Sequence, residues 1–125
     1  MKNIFKTLLL LAIFGIALST QAQKKPYYTE LEEVIEAAYN TLDFEMKSGK
    51  LKEWATERQI KGSYTYDITI GDKKSEVLTI RATDRSADGI IKQQNAVKDY
   101  IKNMRFPFKL PKEKRYQFQY EFKFD

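Results

Sequence analysis

The chain contains no cysteine and no histidine. Without cysteine it has no disulfide, no redox thiol and no residue for a lipid anchor. An exported domain of this size must then hold itself together by packing. Without histidine, Ser-His-Asp and Cys-His nucleophile systems, the usual neutral-pH proton shuttle and nearly all zinc sites are excluded. Proline and glycine are also scarce, at 3 and 5 of 125 residues, which leaves no Pro-rich spacer. No glycine-rich phosphate loop, Ser-x-x-Lys motif or N-glycosylation triplet occurs. The longest apolar run, Leu8 to Leu18, is 11 residues, whereas a membrane-spanning helix needs about 20.

That run has a different meaning. Lys2 and Lys6 precede it, and Thr20-Gln21-Ala22 places small residues before a cut ahead of Gln23. Residues 1–22 therefore read as a secretory signal peptide. The expected setting is periplasmic, with no stable membrane anchor after cleavage. Removing 22 of 125 residues leaves 103, enough for one domain with a modest core. The formal charge of +5 includes Lys2 and Lys6, so the mature chain carries +3. That value favours solubility and mild attraction to acidic surfaces without being a nucleic-acid signature.

The mature chain begins with a helical pattern. Gln23 to Tyr28 is polar, contains Pro26 and reads as a disordered lead. Thr29 and Glu32 fit a capping box, and acidic residues crowd the turns that follow. Leu31, Val34, Ile35, Ala38, Leu42 and Met46 recur every three or four residues, predicting a helix from about Glu30 to Met46 that ends at Gly49. Lys50 to Ile60 reads as a shorter helix, held by Leu51 and by Trp54, the single tryptophan.

From Gly62 the period changes to two. Tyr64, Tyr66, Ile68 and Ile70 alternate with polar residues, predicting a strand buried on one face. Gly71 to Ser75 is a turn, and Glu76 to Thr83 is the return strand with Leu78, Ile80 and Ala82 on one face. Asp84, Ser86 or Asp88 is expected to cap a second amphipathic helix, whose stripe is Ile90, Val97, Ile101 and Met104. That helix stops at Asn103 or Arg105, before Pro107. Phe106, Phe108 and Leu110 lie in an extended stretch expected along the core edge, followed by a charged turn at Lys112-Glu113-Lys114. Arg115 to Phe124 is a strand whose Tyr116, Phe118, Tyr120, Phe122 and Phe124 share one face. A one-residue slip would turn five aromatics into water, so its register is set.

The fold class is therefore α+β: one or two N-terminal helices, then β-β-α-β. A right-handed crossover from the hairpin to the last strand places the first strand centrally, giving a three-stranded antiparallel sheet in the order second-first-third. Helices cover its aromatic face and water meets the other.

Little in this pattern carries chemistry. Asp84 and Asp88, or Asp67 and Asp72, could pair as acid and base or hold a metal, but each has lysine or arginine nearby and reads as a cap or solvated turn. Aromatic and basic residues interleave in Arg115 to Lys123, superficially like an RNA-binding sheet; here the aromatics are needed for the core. The sheet edges remain. An open edge must be charged, covered or used, and a used edge accepts an extended peptide by strand addition.

The segment from Gly62 to Phe124 resembles the C-terminal domain of TonB energy-transducing proteins. The shared pattern is a glycine and alternating strand (Gly62 to Ile70), a return strand through Val77-Leu78-Thr79-Ile80, and a polar loop from Asp84 to Gly89. A helix with Asn95-Ala96-Val97, the pair Arg105-Phe106 with Pro107, and the aromatic strand Tyr116 to Phe124 complete it. The family's Tyr-Pro element before the first strand is missing, as is the long Pro-rich spacer. The resemblance implies this fold, a periplasmic setting in a diderm bacterium and strand addition by the last strand, without force transmission.

The resulting expectation is a periplasmic, non-enzymatic domain with no cofactor, no metal and no nucleic-acid partner. It would bind a protein or peptide in the cell envelope through Arg115, Gln117, Gln119, Glu121 and Lys123. The alternative is a small-ligand or envelope-surface binder that uses a groove near Trp54, Phe106 and Phe108.

Overall fold

The computed structural model describes residues 25–72 and 74–125. The expected signal peptide, residues 1–22, lies outside the described residues. Six elements follow one another: α1 (Leu31–Lys47), α2 (Lys50–Glu57), β1 (Gly62–Gly71), β2 (Glu76–Arg85), α3 (Ile91–Lys102) and β3 (Arg115–Phe124). The architecture is α+β. The sheet is antiparallel in the order β2-β1-β3, so the helix-then-β-β-α-β reading holds.

The sheet has one dry face. Tyr64, Tyr66, Ile68 and Ile70 of β1 are all fully buried, as the period-two pattern requires. On β3, Tyr116, Phe118 and Phe122 are buried and Tyr120 and Phe124 half-buried, with the polar residues between them exposed. α1 closes over this face through Val34, Ala38 and Leu42, α2 through Leu51 and Ala55, and α3 through Val97 and Ile101. Phe106, Phe108 and Leu110 line the core from the α3–β3 connection, as expected. The cross-strand pair Tyr66–Phe122 and the same-strand pair Tyr120–Phe122 have ring centroids 5.8 and 4.6 Å apart in edge-to-face geometry, the arrangement aromatic quadrupoles favour.

Hydrogen bonds tie the helices to the sheet. The Tyr66 hydroxyl donates to the Gln94 carbonyl at 2.5 Å, and the Tyr64 hydroxyl accepts from the Ile90 N–H at 3.1 Å. Burial pushes the ionisation of the Tyr66 phenol far above its ordinary value, helped by the neighbouring Tyr64. Gly62 adopts φ +100°, and a Cβ there would sit 2.8 Å from the Gly89 Cα. Two backbones pass so closely that only glycine fits at that strand start.

Several local details depart from the expectations. The capping box lies one residue later than Thr29/Glu32: Glu30 is the N-cap and its N–H donates to Glu33 Oε1 at 3.4 Å. The cause is tertiary. Tyr116 donates its hydroxyl to the Thr29 carbonyl at 2.8 Å, and the Tyr28 N–H donates to the Lys109 carbonyl at 3.0 Å, so the chain is still extended there. For the same reason Pro26 to Tyr28 is not a disordered lead; Tyr27 forms a parallel bridge with Lys109.

α1 passes to α2 through Ser48 and Gly49, and Glu45 Oε1 accepts the Leu51 N–H at 3.1 Å to satisfy the start of α2. α2 stops at Glu57 rather than Ile60 because Gln59 turns to φ 55° and the Ile60 N–H folds back to the Ala55 carbonyl at 3.0 Å. Trp54 is only half-buried, stacked against Tyr100 at 4.8 Å with the Arg58 guanidinium 5.0 Å over its ring.

β2 departs most. Leu78 and Ala82 are exposed and only Ile80 is buried on the expected face. Register shifts flank the stretch: Thr69 pairs with Thr79 but Ile70 with Val77, and Thr65 pairs with Asp84 but Tyr66 with Ala82. Leu78 and Thr83 are thus the extra residues of two β-bulges, and half-buried Val77 takes the position expected of Leu78. None of Asp84, Ser86 and Asp88 caps α3, whose N-cap is Ile90. Ser86 instead closes the hairpin, accepting the Ser63 N–H at 2.8 Å and donating to Asp88 Oδ1 at 2.6 Å.

Candidate functional site at the sheet edges

The residues proposed to meet a partner share the wet face of the sheet. Arg115, Gln117, Gln119, Glu121 and Lys123 are all exposed along β3. At the centre of that face Asp67 joins all three strands. Its Oδ2 accepts from Arg81 Nη2 on β2 at 2.7 Å, and its Oδ1 accepts from Gln119 Nε2 on β3 at 3.1 Å. These two hydrogen bonds, Arg81 first, hold the Asp67 carboxyl below its ordinary range. Gln119 is thus partly spent within the sheet. Glu121 and Lys123 approach one another at 3.9 Å on the exposed face.

Backbone direction decides which edge is open. The Ser63 carbonyl accepts from the Ser86 N–H, so Ser63 and every second residue after it turn their backbone groups toward β2. Tyr64, Tyr66, Ile68 and Ile70 therefore turn toward β3, where they pair with Phe122, Tyr120, Phe118 and Tyr116. It follows that Gln117, Gln119, Glu121 and Lys123 point their backbone groups outward.

That outer edge is partly closed. The Tyr39 hydroxyl of α1 donates to the Gln119 carbonyl at 2.7 Å. Beside it the Tyr120 hydroxyl donates to Asp43 Oδ1 at 2.5 Å, and the rings of Tyr39 and Tyr120 meet edge to face at 5.6 Å. Burial, then the Asp43 carboxylate, raises the Tyr120 phenol far above its ordinary value. Tyr39 lies outside the apolar stripe of α1, so hydrophobic periodicity does not single it out. Its spacing of four from Ile35 and from Asp43 is the one available signal.

β2 differs. Ile80 and Ala82 pair with Ile68 and Tyr66, whose backbone groups face β3, so the N–H and C=O of Ile80 and Ala82 point away from the sheet. Among the described residues no hydrogen bond reaches these outward groups. The start of β2 is covered by a bridge between Glu76 and Arg105, and the two bulges bound what remains. The open stretch is short and regular, from Thr79 to Ala82, with exposed Leu78 at one end and α3 packed alongside.

The other candidates are dispersed. Phe106 and Phe108 are buried in the core, while Trp54 stacks on Tyr100 at the surface. A cleft of about 590 Å³ does open nearby, floored by Met46, Ala55, Ile60 and Phe124 and rimmed by Lys52, Lys61 and Lys123, but none of the three aromatics lines it. Asp84 accepts the Arg85 N–H at 2.8 Å and Asp88 accepts from Ser86, so both serve the connection from β2 to α3. Among the described residues no group of three His, Cys, Asp or Glu side chains could hold a metal ion, and no helix is long and apolar enough to cross a membrane. Comparison of the chain with protein-family models, curated proteins and solved structures found no match.

Proposed function

We propose that this is an exported, non-enzymatic domain that binds an extended segment of an envelope protein or peptide by strand addition, and that β2 is the strand that accepts it. The observation that carries this reading is the pair of outward backbone positions at Ile80 and Ala82 that no described residue bonds, set against a β3 edge that Tyr39 partly closes. A peptide laid along β2 would satisfy those groups, and its side chains would fall alternately toward Leu78 and α3 or toward water. The bulges limit the addition to about four residues, so specificity would depend on flanking contacts. Absence of histidine and cysteine supports a binding role over catalysis. The signal-peptide pattern supports export, and a mature N-terminus at Gln23 in the envelope fraction checks it.

The test uses photo-reactive side chains at Thr79, Arg81 and Thr83, compared with Gln117, Gln119 and Glu121, in an envelope extract. Crosslinks concentrated on β2 are expected. Ala82→Pro removes an outward N–H and leaves the β1 ladder intact, so it should abolish the adduct in a domain whose circular dichroism is unchanged. Crosslinks confined to β3, or an adduct indifferent to Ala82→Pro, would refute the assignment to β2.

A further inference from the structure

The charge of the domain is not spread evenly. Contacts that are far apart in sequence bring one set of cations to one end of the sheet. The Phe106 N–H donates to the Ser75 carbonyl at 3.1 Å, and the Ser75 hydroxyl donates to the Phe108 carbonyl, which pins the α3–β3 connection onto the β1–β2 turn. The Lys109 N–H donates to the Pro26 carbonyl at 2.7 Å, which adds the first described residues to the same end. Arg115 pairs with Gly71, and the Lys114 carbonyl passes directly over that glycine.

Lys74, Arg105, Lys109, Lys112, Lys114 and Arg115 therefore converge on one pole, all exposed, with Lys25 beside them. None of them forms a salt bridge to a described residue. The acidic residues at this end, Asp72, Glu76, Glu113 and, beside Tyr116, Glu30, are fewer than the seven cations. Apolar surface occurs at the same place. Tyr27, bridged to Lys109, is 61% exposed; Leu31 is 52% exposed; Pro107 projects between buried Phe106 and Phe108.

From this juxtaposition we infer that the pole is a peripheral docking surface for an anionic phospholipid bilayer. Clustered Lys and Arg are drawn to acidic headgroups, and an exposed tyrosine with neighbouring apolar residues is the side-chain set that settles at headgroup depth. A soluble polyanion would need the charges and would gain little from Tyr27, Leu31 and Pro107. Connectivity agrees: only six residues separate Leu18, the end of the apolar run, from Lys25 at the pole. On the signal-peptide reading, on which this point rests, the segment that follows that run in the chain leads directly into the pole. The open stretch of β2 begins beyond the Glu76–Arg105 bridge and runs away from the pole, so docking there leaves the strand edge free.

The test is co-sedimentation of residues 25–125, which contain the whole described core, with vesicles of phosphatidylglycerol and phosphatidylcholine or of phosphatidylcholine alone. Binding is expected on the anionic vesicles only, falling steeply as salt rises. Lys112→Ala with Lys114→Ala should weaken it roughly tenfold or more, since each cation contributes several-fold. Tyr27→Ala should weaken it a few-fold while leaving binding to soluble polyglutamate unchanged. Both variants lie outside the core, so circular dichroism should match the parent. No binding to anionic vesicles at low salt would overturn the inference. Binding indifferent to Tyr27→Ala and matched by polyglutamate would overturn it too, reducing the pole to a general polyanion surface.

Discussion

Phe122→Ala removes a ring that is fully buried and held between Tyr66 and Tyr120. Phenylalanine-to-alanine changes in a core cost about 3–5 kcal/mol through lost transfer energy and the cavity left behind. Two edge-to-face ring pairs place this site in the upper half of that range, at about 4 kcal/mol. Phe124, two residues along the same strand, is half-buried, and among the described residues its one ring partner is Tyr64, at 6.2 Å. Phe124→Ala should cost about half as much, roughly 2 kcal/mol. A domain of this size has about 5–15 kcal/mol in total, so Phe122→Ala should be close to unfolding, and its melting temperature should fall by roughly 16–30 °C. Should it not fold at all, Phe122→Leu keeps most of the volume and should cost about 1–2 kcal/mol. Urea unfolding, followed by circular dichroism and Trp54 fluorescence, measures each difference provided the slope against urea is unchanged. Equal losses at the two positions, or less than about 1 kcal/mol at Phe122, would refute the packing described here.

Two titrations follow from the same structure. Asp67 has a depressed folded-state pKa, so its hydrogen bonds to Arg81 and Gln119 favour the folded state above the ordinary carboxylate range. That contribution is lost as pH falls through the folded value; carboxyl-carbon NMR should show a midpoint below about 3.9, moving up in Arg81→Ala. Tyr66 and Tyr120 have raised values, so stability is intact below the ordinary phenol pKa of about 10 and declines as pH rises above it. Absorbance near 295 nm should show these two phenols ionising only as the domain unfolds, and Tyr66→Phe should remove one of the late protons. Two fully normal phenol titrations in a folded domain would contradict the burial.

Much of the fold is legible because its signals are local. A strand buried on one face must alternate, so Tyr64 to Ile70 and Tyr116 to Phe124 declare both their type and their inner face. The apolar stripe from Val34 to Leu42 does the same for α1. β2 was harder. A bulge adds a residue without changing residue types, so Leu78 and Ala82 carry the alternating pattern while lying exposed. The candidate site divides the same way: Arg115 to Lys123 are recognisable as the wet face of β3, but the state of its outer edge is not.

Composition and pattern by themselves determined the absence of thiol and imidazole chemistry, the α+β class, the strand order and the residues of the dry face. Each follows from residue identity, from a short period or from chain connectivity. Tertiary structure alone decided which edge is open, because the Tyr39 hydroxyl reaches a carbonyl 80 residues away. It also decided where α1 begins, through the bond from Tyr116 to Thr29, and where the cations gather, through the pairing of Lys109 with Pro26. These depend on groups distant in sequence meeting in one place, and no local period records such a meeting.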